Sequence, residues 1–214
     1  MHSVSIFYID TEHNSFEEAF RKYFDSLDPE RKDRIQNAKS PKVKEELLYA
    51  GVLLQTALEE KDLKNRKITR REAGKPYFEG SEDVFFNISQ SGRFVSLALS
   101  DEDIGFDLQK PVSANESLIK RIASESEIIE KRELINNDFQ LFWAIKESYA
   151  KYTGKGIGTD FAGLSFELKD GKLKYFENGC LMAYGSVINA FDGYGAVLCA
   201  GEAFKTDTIK EIIL

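Results

Sequence analysis

The apolar residues of this chain change period at Val84, and that change restricts its possible folds more than any other feature. Before it, Phe16, Ala19, Phe20, Tyr23, Phe24 and Leu27 recur at helical spacing, with Ser15 and Glu18 placed as a capping box. Asp28-Pro29 and Ser40-Pro41 each set a cap residue before a proline at the first helical position. They predict a short basic helix, PERKDRIQNA, and a longer one to about Leu58 with Leu47, Leu54 and Leu58 on its apolar side. A polar stretch with room for one strand around Lys67 to Arg70 follows. From Val84 the pattern alternates: VFFNIS and FVSLALS read as strands joined by QSGR, and IGFDL follows a turn at Asp101 to Asp103. Helices return at about 115–122, 124–134 and 137–152. The last 60 or so residues are strand-rich, with Asp170-Gly171, Asn178-Gly179 and Asp192-Gly193 as hairpin turns. This order predicts an α+β protein of two lobes meeting near residues 100–104: residues 1–102 in the N-terminal lobe and 103–214 in the C-terminal lobe.

Composition narrows the chemistry. No apolar run reaches the roughly 20 residues that a bilayer span needs, and the start, MHSVSIFYID, alternates like a strand and lacks the pattern of a signal peptide. A cytoplasmic protein is expected. Cys180 and Cys199 each sit in an apolar segment, which favours two buried, reduced thiols over a disulfide. The net charge of −7 argues against a nucleic-acid partner. The chain has only His2 and His13, so a zinc centre or a Ser-His-Asp triad lacks its histidines. The chemistry must run on carboxylates, lysines and amides.

Four segments can carry such chemistry. In IGFDLQ, residues 104–109, Asp107 and Gln109 project to one face of a strand. An acid in that setting either faces water from a sheet edge or ligates a hard cation. In WAIKESYAK, residues 143–151, Glu147 and Lys151 share a helix face. They are either a surface ion pair or a metal- or proton-binding carboxylate beside a phosphate-binding lysine. FNISQSG, residues 86–92, is either a turn or a source of hydroxyls and N–H groups for an anion. Gly74-Lys75-Pro76 in isolation is a loop with one charge.

In order and spacing these segments resemble the 4'-phosphopantetheinyl transferase superfamily in its larger, monomeric, two-lobed form. That family reads GKP, then FN-[IL]-S-H-S-G, then G-[IV]-D-[IV]-E, then W-x-x-K-E-[AS]-x-x-K. The counterparts here are Gly74 to Pro76, Phe86 to Gly92, Gly105 to Gln109 and Trp143 to Lys151. The DPERKDR helix and FDGYGAVLCA also resemble family segments, so the likeness spans roughly residues 25–205.

The resemblance implies two similar α/β lobes arranged as a pseudo-dimer, with coenzyme A and Mg²⁺ bound in the cleft between them. Arg31 and Arg34 would approach the 3'-phosphate, Lys75 and Pro76 would flank the adenine, and Ser89 and Gln90 would lie near the pyrophosphate. Asp107 and Glu147, with Gln109 at a third position, would hold the metal; Glu147 and Lys151 would be catalytic. The implied reaction moves phosphopantetheine from coenzyme A to a serine of an acyl or peptidyl carrier protein in lipid or secondary-metabolite biosynthesis.

Three positions depart from the family pattern. Gln90 replaces a histidine, Gln109 a glutamate, and Glu46 falls near a position that is often basic. The alternative that these changes support is a degenerate transferase that binds carrier protein or coenzyme A without turnover. A third reading, an unrelated α+β enzyme, requires Asp107 and Glu147 to lie far apart. Carrier proteins are commonly acidic, like this chain, so docking is expected to use a local basic strip such as Lys120, Arg121, Lys131 and Arg132.

Overall fold

The computed structural model describes residues 2–63, 66–71, 74–81 and 83–214. Strand β1 (His2–Asp10) opens the chain. Three helices follow, α1 (Phe16–Tyr23), α2 (Pro29–Asn37) and α3 (Pro41–Glu60). The Ser15 side chain accepts from the Glu18 N–H without the reciprocal bond of a capping box, Asp28 accepts from the Arg31 N–H with Pro29 beginning α2, and Ser40 makes no cap hydrogen bond although Pro41 begins α3. A small ribbon, β2 (Ile68–Arg70) and β3 (Pro76–Phe78), leads to the hairpin β4 (Phe85–Ser91) and β5 (Phe94–Ser100) and then to β6 (Ile104–Gln109).

Helices α4 (Glu116–Ile122), α5 (Glu125–Glu130), α6 (Arg132–Asn137) and α7 (Phe139–Thr153) come next. The helix expected over 124–134 is two short ones, interrupted at Lys131, whose ψ of 19° leaves the helical range. Strands β7 (Leu164–Lys169), β8 (Lys172–Glu177), β9 (Cys180–Val187), β10 (Gly195–Ala200) and β11 (Phe204–Glu211) finish the chain.

These strands form two larger sheets. The first has the order β11-β1-β5-β4 and the second β6-β10-β9-β8-β7. Among the described residues only β1–β11 is a parallel pair, and every other pairing is antiparallel. Asp170-Gly171 and Asn178-Gly179 each close a two-residue hairpin with positive φ at both positions, as type I′ turns require. Asp192-Gly193 instead forms a turn inside the longer 188–194 connection, closed by the Tyr194 N–H on the Phe191 carbonyl. The fold class is α+β.

Alternation along each strand sorts side chains into three cores. Phe7, Ile9, Val95, Leu97 and Leu99 face α3, whose Leu48, Val52 and Leu53 complete the first core. Val197 and Cys199 face α7, with Phe142, Ile145 and Tyr149 in the second. Val4, Ile6, Phe94 and Ala98 meet Ile104, Phe106, Leu108 and Leu198 in the third, between the sheets. FVSLALS and GAVLCA are buried on both faces, which explains their nearly unbroken apolar letters. Each sheet thus carries a helix on its outer face, and the two sheets pack back to back. The lobe division of the sequence reading is kept as a proposal; β11 returns from the end of the chain to the first sheet. Cys199 is buried as expected, but Cys180 is exposed, because it begins β9 beside the Asn178-Gly179 turn.

The second half is pinned by a charge pair inside the protein. Lys146 is fully buried, and its ammonium donates to Glu127 Oε2 at 2.7 Å, the Phe161 carbonyl at 2.9 Å and the Leu164 carbonyl. Glu127 also completes the capping box at the start of α5 with Ser124. Burial pushes the Lys146 pKa down, and Glu127 opposes that shift. Lys146→Ala should destabilise the protein by about 3 kcal/mol in urea unfolding, because Glu127 would be left as a buried, unpaired carboxylate. Lys146→Ala/Glu127→Leu should recover part of that loss.

Candidate active site

A cavity of about 390 Å³ opens beside β4, where edges of the two sheets meet. One wall is basic: Arg31 and Arg34 from α2 and Arg70 from β2 line it. Arg31 is buried, and its pKa is lowered first by desolvation and further by the Arg34 and Arg70 charges, against the opposing pull of Asp28 and Glu30. Arg34 is lowered by burial and then by Arg70, with Glu30 and Asp28 opposing. Arg70 pairs with Glu30 at 3.2 Å. Among the described residues, Arg31 and Arg34 form no salt bridge, so neither guanidinium is paired directly with a carboxylate. An anion is the natural complement.

The opposite wall carries Glu147 and Lys151, one turn apart on α7 as their spacing required. The Glu147 pKa is raised, mainly by desolvation and then by the Asp107 charge; Lys151, Trp143 and Arg121 oppose the rise. Lys151 Nζ lies 2.7 Å from Asp107 Oδ1. Asp107 is thus a neighbour of the Glu147–Lys151 face of α7, through its contact with Lys151, which speaks against the reading that needed Asp107 and Glu147 far apart.

Asp107 stands on an edge strand but does not face water. It is 6% exposed, because β6 lies against β4, the edge of the other sheet. Side chains of the FNISQS segment join these two edges. The Phe106 N–H donates to Asn87 Oδ1 at 3.1 Å, the Leu108 N–H to Ser89 Oγ at 3.0 Å, and the Lys110 N–H to Ser91 Oγ at 2.9 Å. Alternation along β4 puts all three acceptors on one face, where they satisfy the free N–H groups of β6. Ser89 Oγ also donates to Asp107 Oδ1 at 3.1 Å and accepts from Lys151 at 2.8 Å.

The structure thus brings most of the expected residues together. Arg31, Arg34, Lys75, Pro76, Gln90, Glu147 and Lys151 all line the cavity. Ser89 and Asp107 lie in direct contact with Lys151. Gln109 follows Asp107 on the same strand face; neither is among the described residues lining the cavity, and Asp107 is joined to the cavity through Lys151. Lys75 lines the cavity, yet its ammonium is engaged elsewhere: it donates to Asp103 Oδ1 at 2.5 Å, the Ile104 carbonyl at 2.9 Å and the Tyr152 carbonyl at 3.0 Å. Glu46 also lines the cavity, with Lys42 at 3.9 Å.

Sequence reasoning missed Arg70 and Asn87. Arg70 was signalled only as the end of a short strand, and the role of Asn87 depends on contact between two sheets that no local pattern announces.

Two carboxylates with one free oxygen suit a hard divalent cation. Asp107 Oδ1 is occupied by Lys151 and Ser89, whereas Asp107 Oδ2 is buried with no hydrogen-bond partner among the described residues. An orphaned carboxylate oxygen beside a second carboxylate fits Mg²⁺, which takes one or two protein carboxylates and fills the rest of its shell with water and phosphate oxygens. His2, Glu102 and Glu202 also approach within 4.8 Å of one another, but they are partly exposed and are not among the cavity-lining residues.

Comparison with known proteins finds similarity to one family. Residues 103–190, which include Asp107, Glu147 and Lys151, match the model of the 4'-phosphopantetheinyl transferase superfamily. The chain is 24% identical over 193 residues to the 4'-phosphopantetheinyl transferase Sfp of Bacillus subtilis (strain 168), covering 86% of each chain.

Over these spans the chain is similar to 4'-phosphopantetheinyl transferases.

Two further relatives agree over shorter spans. A 4'-phosphopantetheinyl transferase of Bacillus subtilis is 34% identical over 47% of this chain and 46% of its own length. The 4'-phosphopantetheinyl transferase ffp of Bacillus subtilis is 30% identical over 59% of this chain and 60% of its own. The family match begins at residue 103, just ahead of β6, and takes in all of α7. The cavity therefore has Glu147 and Lys151 inside the matched segment and Arg31, Arg34 and Arg70 outside it.

Proposed function

We propose that the chain transfers the 4'-phosphopantetheine group of coenzyme A to a serine hydroxyl of an acyl or peptidyl carrier protein, with Mg²⁺, releasing 3',5'-ADP. The observation that carries this reading is the polarity of the cavity: a guanidinium wall faces a carboxylate–lysine wall across a space open to an elongated anionic donor. Arg31 and Arg34 bind the 3'-phosphate, Pro76 and the stem of Lys75 border the adenine, and Gln90 hydrogen-bonds the pyrophosphate region with Ser89 beneath it. Asp107 Oδ2 and Glu147 hold Mg²⁺, which when bound supplies Lewis-acid neutralisation of charge on the pyrophosphate.

Chemically, Glu147 accepts the proton of the carrier serine, directly or through a water. The serine oxygen then forms a bond to the phosphorus that bears pantetheine, and the bond from that phosphorus to the ADP oxygen breaks. Lys151, fixed by Asp107, Ser89 and the Phe106 carbonyl, stabilises the charge that develops on the phosphoryl oxygens. No histidine is needed. Gln109 plays no part in the ligand set proposed here, because the two acids and the free Asp107 oxygen suffice.

The paired geometry of Asp107, Glu147 and Lys151 favours turnover over the non-catalytic binding reading. Among the described residues no helix is long and apolar enough to cross a membrane. The reading further includes a cytoplasmic monomer.

Calorimetry with coenzyme A and 3'-dephospho-coenzyme A tests the donor site. Arg31→Ala/Arg34→Ala should weaken coenzyme A binding about tenfold or more, the scale of one lost charge-assisted hydrogen bond, and leave the dephospho form nearly unaffected. Equal weakening of both ligands would remove the 3'-phosphate from this wall.

A further inference from the structure

The Lys75 ammonium has three protons, and each has an acceptor inside the protein: Asp103 Oδ1, the Ile104 carbonyl and the Tyr152 carbonyl. The side chain is 7% exposed, against 28% for Lys151, so its charge is spent inside the protein. Two of the acceptors, at Ile104 and Tyr152, belong to the two elements that carry the acidic wall, and Asp103 directly precedes the first of them. Ile104 begins β6, three residues before Asp107. Tyr152 lies in the last turn of α7, next to Lys151, where helix carbonyls lack intrahelical partners and the helix dipole is negative.

The other end of Lys75 is tied to the basic wall. Its carbonyl accepts from the Arg71 N–H at 2.9 Å, and the adjoining Pro76 pairs with Arg70 in the β2–β3 ribbon. Arg70 Nη1 also donates to the Gly74 carbonyl at 3.1 Å. Asp103 is held on its far side by Arg71 at 3.0 Å. The stem lies against Gly154, which ends α7 in the left-handed conformation with φ of 69°.

We infer that Lys75 is a positioning residue: a strut that fixes the arginine wall against the Asp107–Glu147–Lys151 wall, with its charge directed into the protein and not at the donor substrate. The inference rests on the transferase reading for its kinetic readout and departs from the ligand-contact role that the family resemblance implied for this side chain. A strut acts on the reacting geometry, and a displacement of about 1 Å can cost on the order of 100-fold in rate. A phosphate or base contact acts on donor affinity.

The test compares Lys75→Met, Asp103→Ala and the double variant in transfer kinetics, coenzyme A titration and amide hydrogen exchange. Asp103 is not among the cavity-lining residues, so it reports on the strut alone. Each single variant should lower kcat about 30- to 100-fold, with KM and Kd for coenzyme A within about threefold of the parent. The double variant should be no worse than Lys75→Met, because the two groups act as one. The amides at the C-terminal end of α7 should exchange faster in both single variants.

A rise of tenfold or more in the coenzyme A Kd of Lys75→Met, with Asp103→Ala unaffected, would overturn the inference, as would additive losses in the double variant. If Lys75→Met does not fold, Asp103→Ala decides: unchanged kcat and unchanged exchange refute the strut. If the parent protein transfers nothing, the function reading fails, while the exchange arm still tests the strut.

Discussion

Glu147→Gln is expected to lower kcat for carrier modification by about 1,000-fold while leaving coenzyme A affinity close to that of the parent. The substitution preserves shape and removes a proton acceptor together with one of two anionic ligands, and each of those losses alone commonly costs 100-fold or more. Affinity survives because the donor's 3'-phosphate is held on the arginine wall, away from α7. The same variant should be as stable as the parent or slightly more so. In the folded protein the Glu147 carboxylate is desolvated beside the Asp107 charge, and neutralising it relieves both penalties. Stopped-flow or gel-based transfer rates, coenzyme A calorimetry and a urea melt check the three parts. A variant that loses stability and affinity along with rate would make Glu147 a structural residue.

Gly105→Ala should abolish the folded state or come close to it. A Cβ at position 105 would lie 2.0 Å from the Ser148 carbonyl oxygen and 2.3 Å from the Tyr152 nitrogen, both backbone atoms of α7. Neither can swing aside as a side chain does, so the whole helix must retreat from β6. Retreat opens the second core around Phe142, Ile145 and Tyr149. The expected loss is on the order of 5 kcal/mol, comparable to the entire stability of many domains. Thermal unfolding and soluble yield measure it. The close contact at Gly105 is what lets Lys151 reach Asp107 and Ser89, so a residual folded fraction should also be poorly active. Ser91→Ala is the contrasting control: it removes one strand-edge acceptor near the surface and should be far milder.

Much of this arrangement could be read from the letters because it is local. Prolines at 29 and 41 placed the starts of two helices, and Asp-Gly and Asn-Gly placed two hairpins, since these residues act through their own φ, with Asp28 adding its own hydrogen bond. Glu147 and Lys151 shared a face by helical arithmetic alone. What stayed hidden depends on which elements meet. Asp107 could be an exposed edge residue or a buried ligand until β4 was seen to cover β6. Asn87, Ser89 and Ser91 suggested an anion cradle or a turn, but they chiefly serve as hydrogen-bond acceptors for the neighbouring strand. Lys75 had the letters of a ligand contact, but three internal acceptors use its charge. Lys146, in the same nonapeptide as Glu147, gave no sign that it is buried against Glu127. Gly105 could be recognised as part of a family motif, whereas the reason for a glycine there is a helix more than 40 residues further along the chain.

The central claim is chemical: that this cavity moves phosphopantetheine to a serine hydroxyl. The most direct measurement is intact-mass spectrometry of a panel of apo acyl and peptidyl carrier proteins after incubation with the protein, Mg²⁺ and coenzyme A. The account predicts that at least one carrier gains the mass of a single phosphopantetheine at its acceptor serine, with 3',5'-ADP released in equal amount and no gain with Glu147→Gln or with chelator. No mass gain on any carrier, from a folded protein that binds coenzyme A, would contradict the transferase account and leave a binding protein.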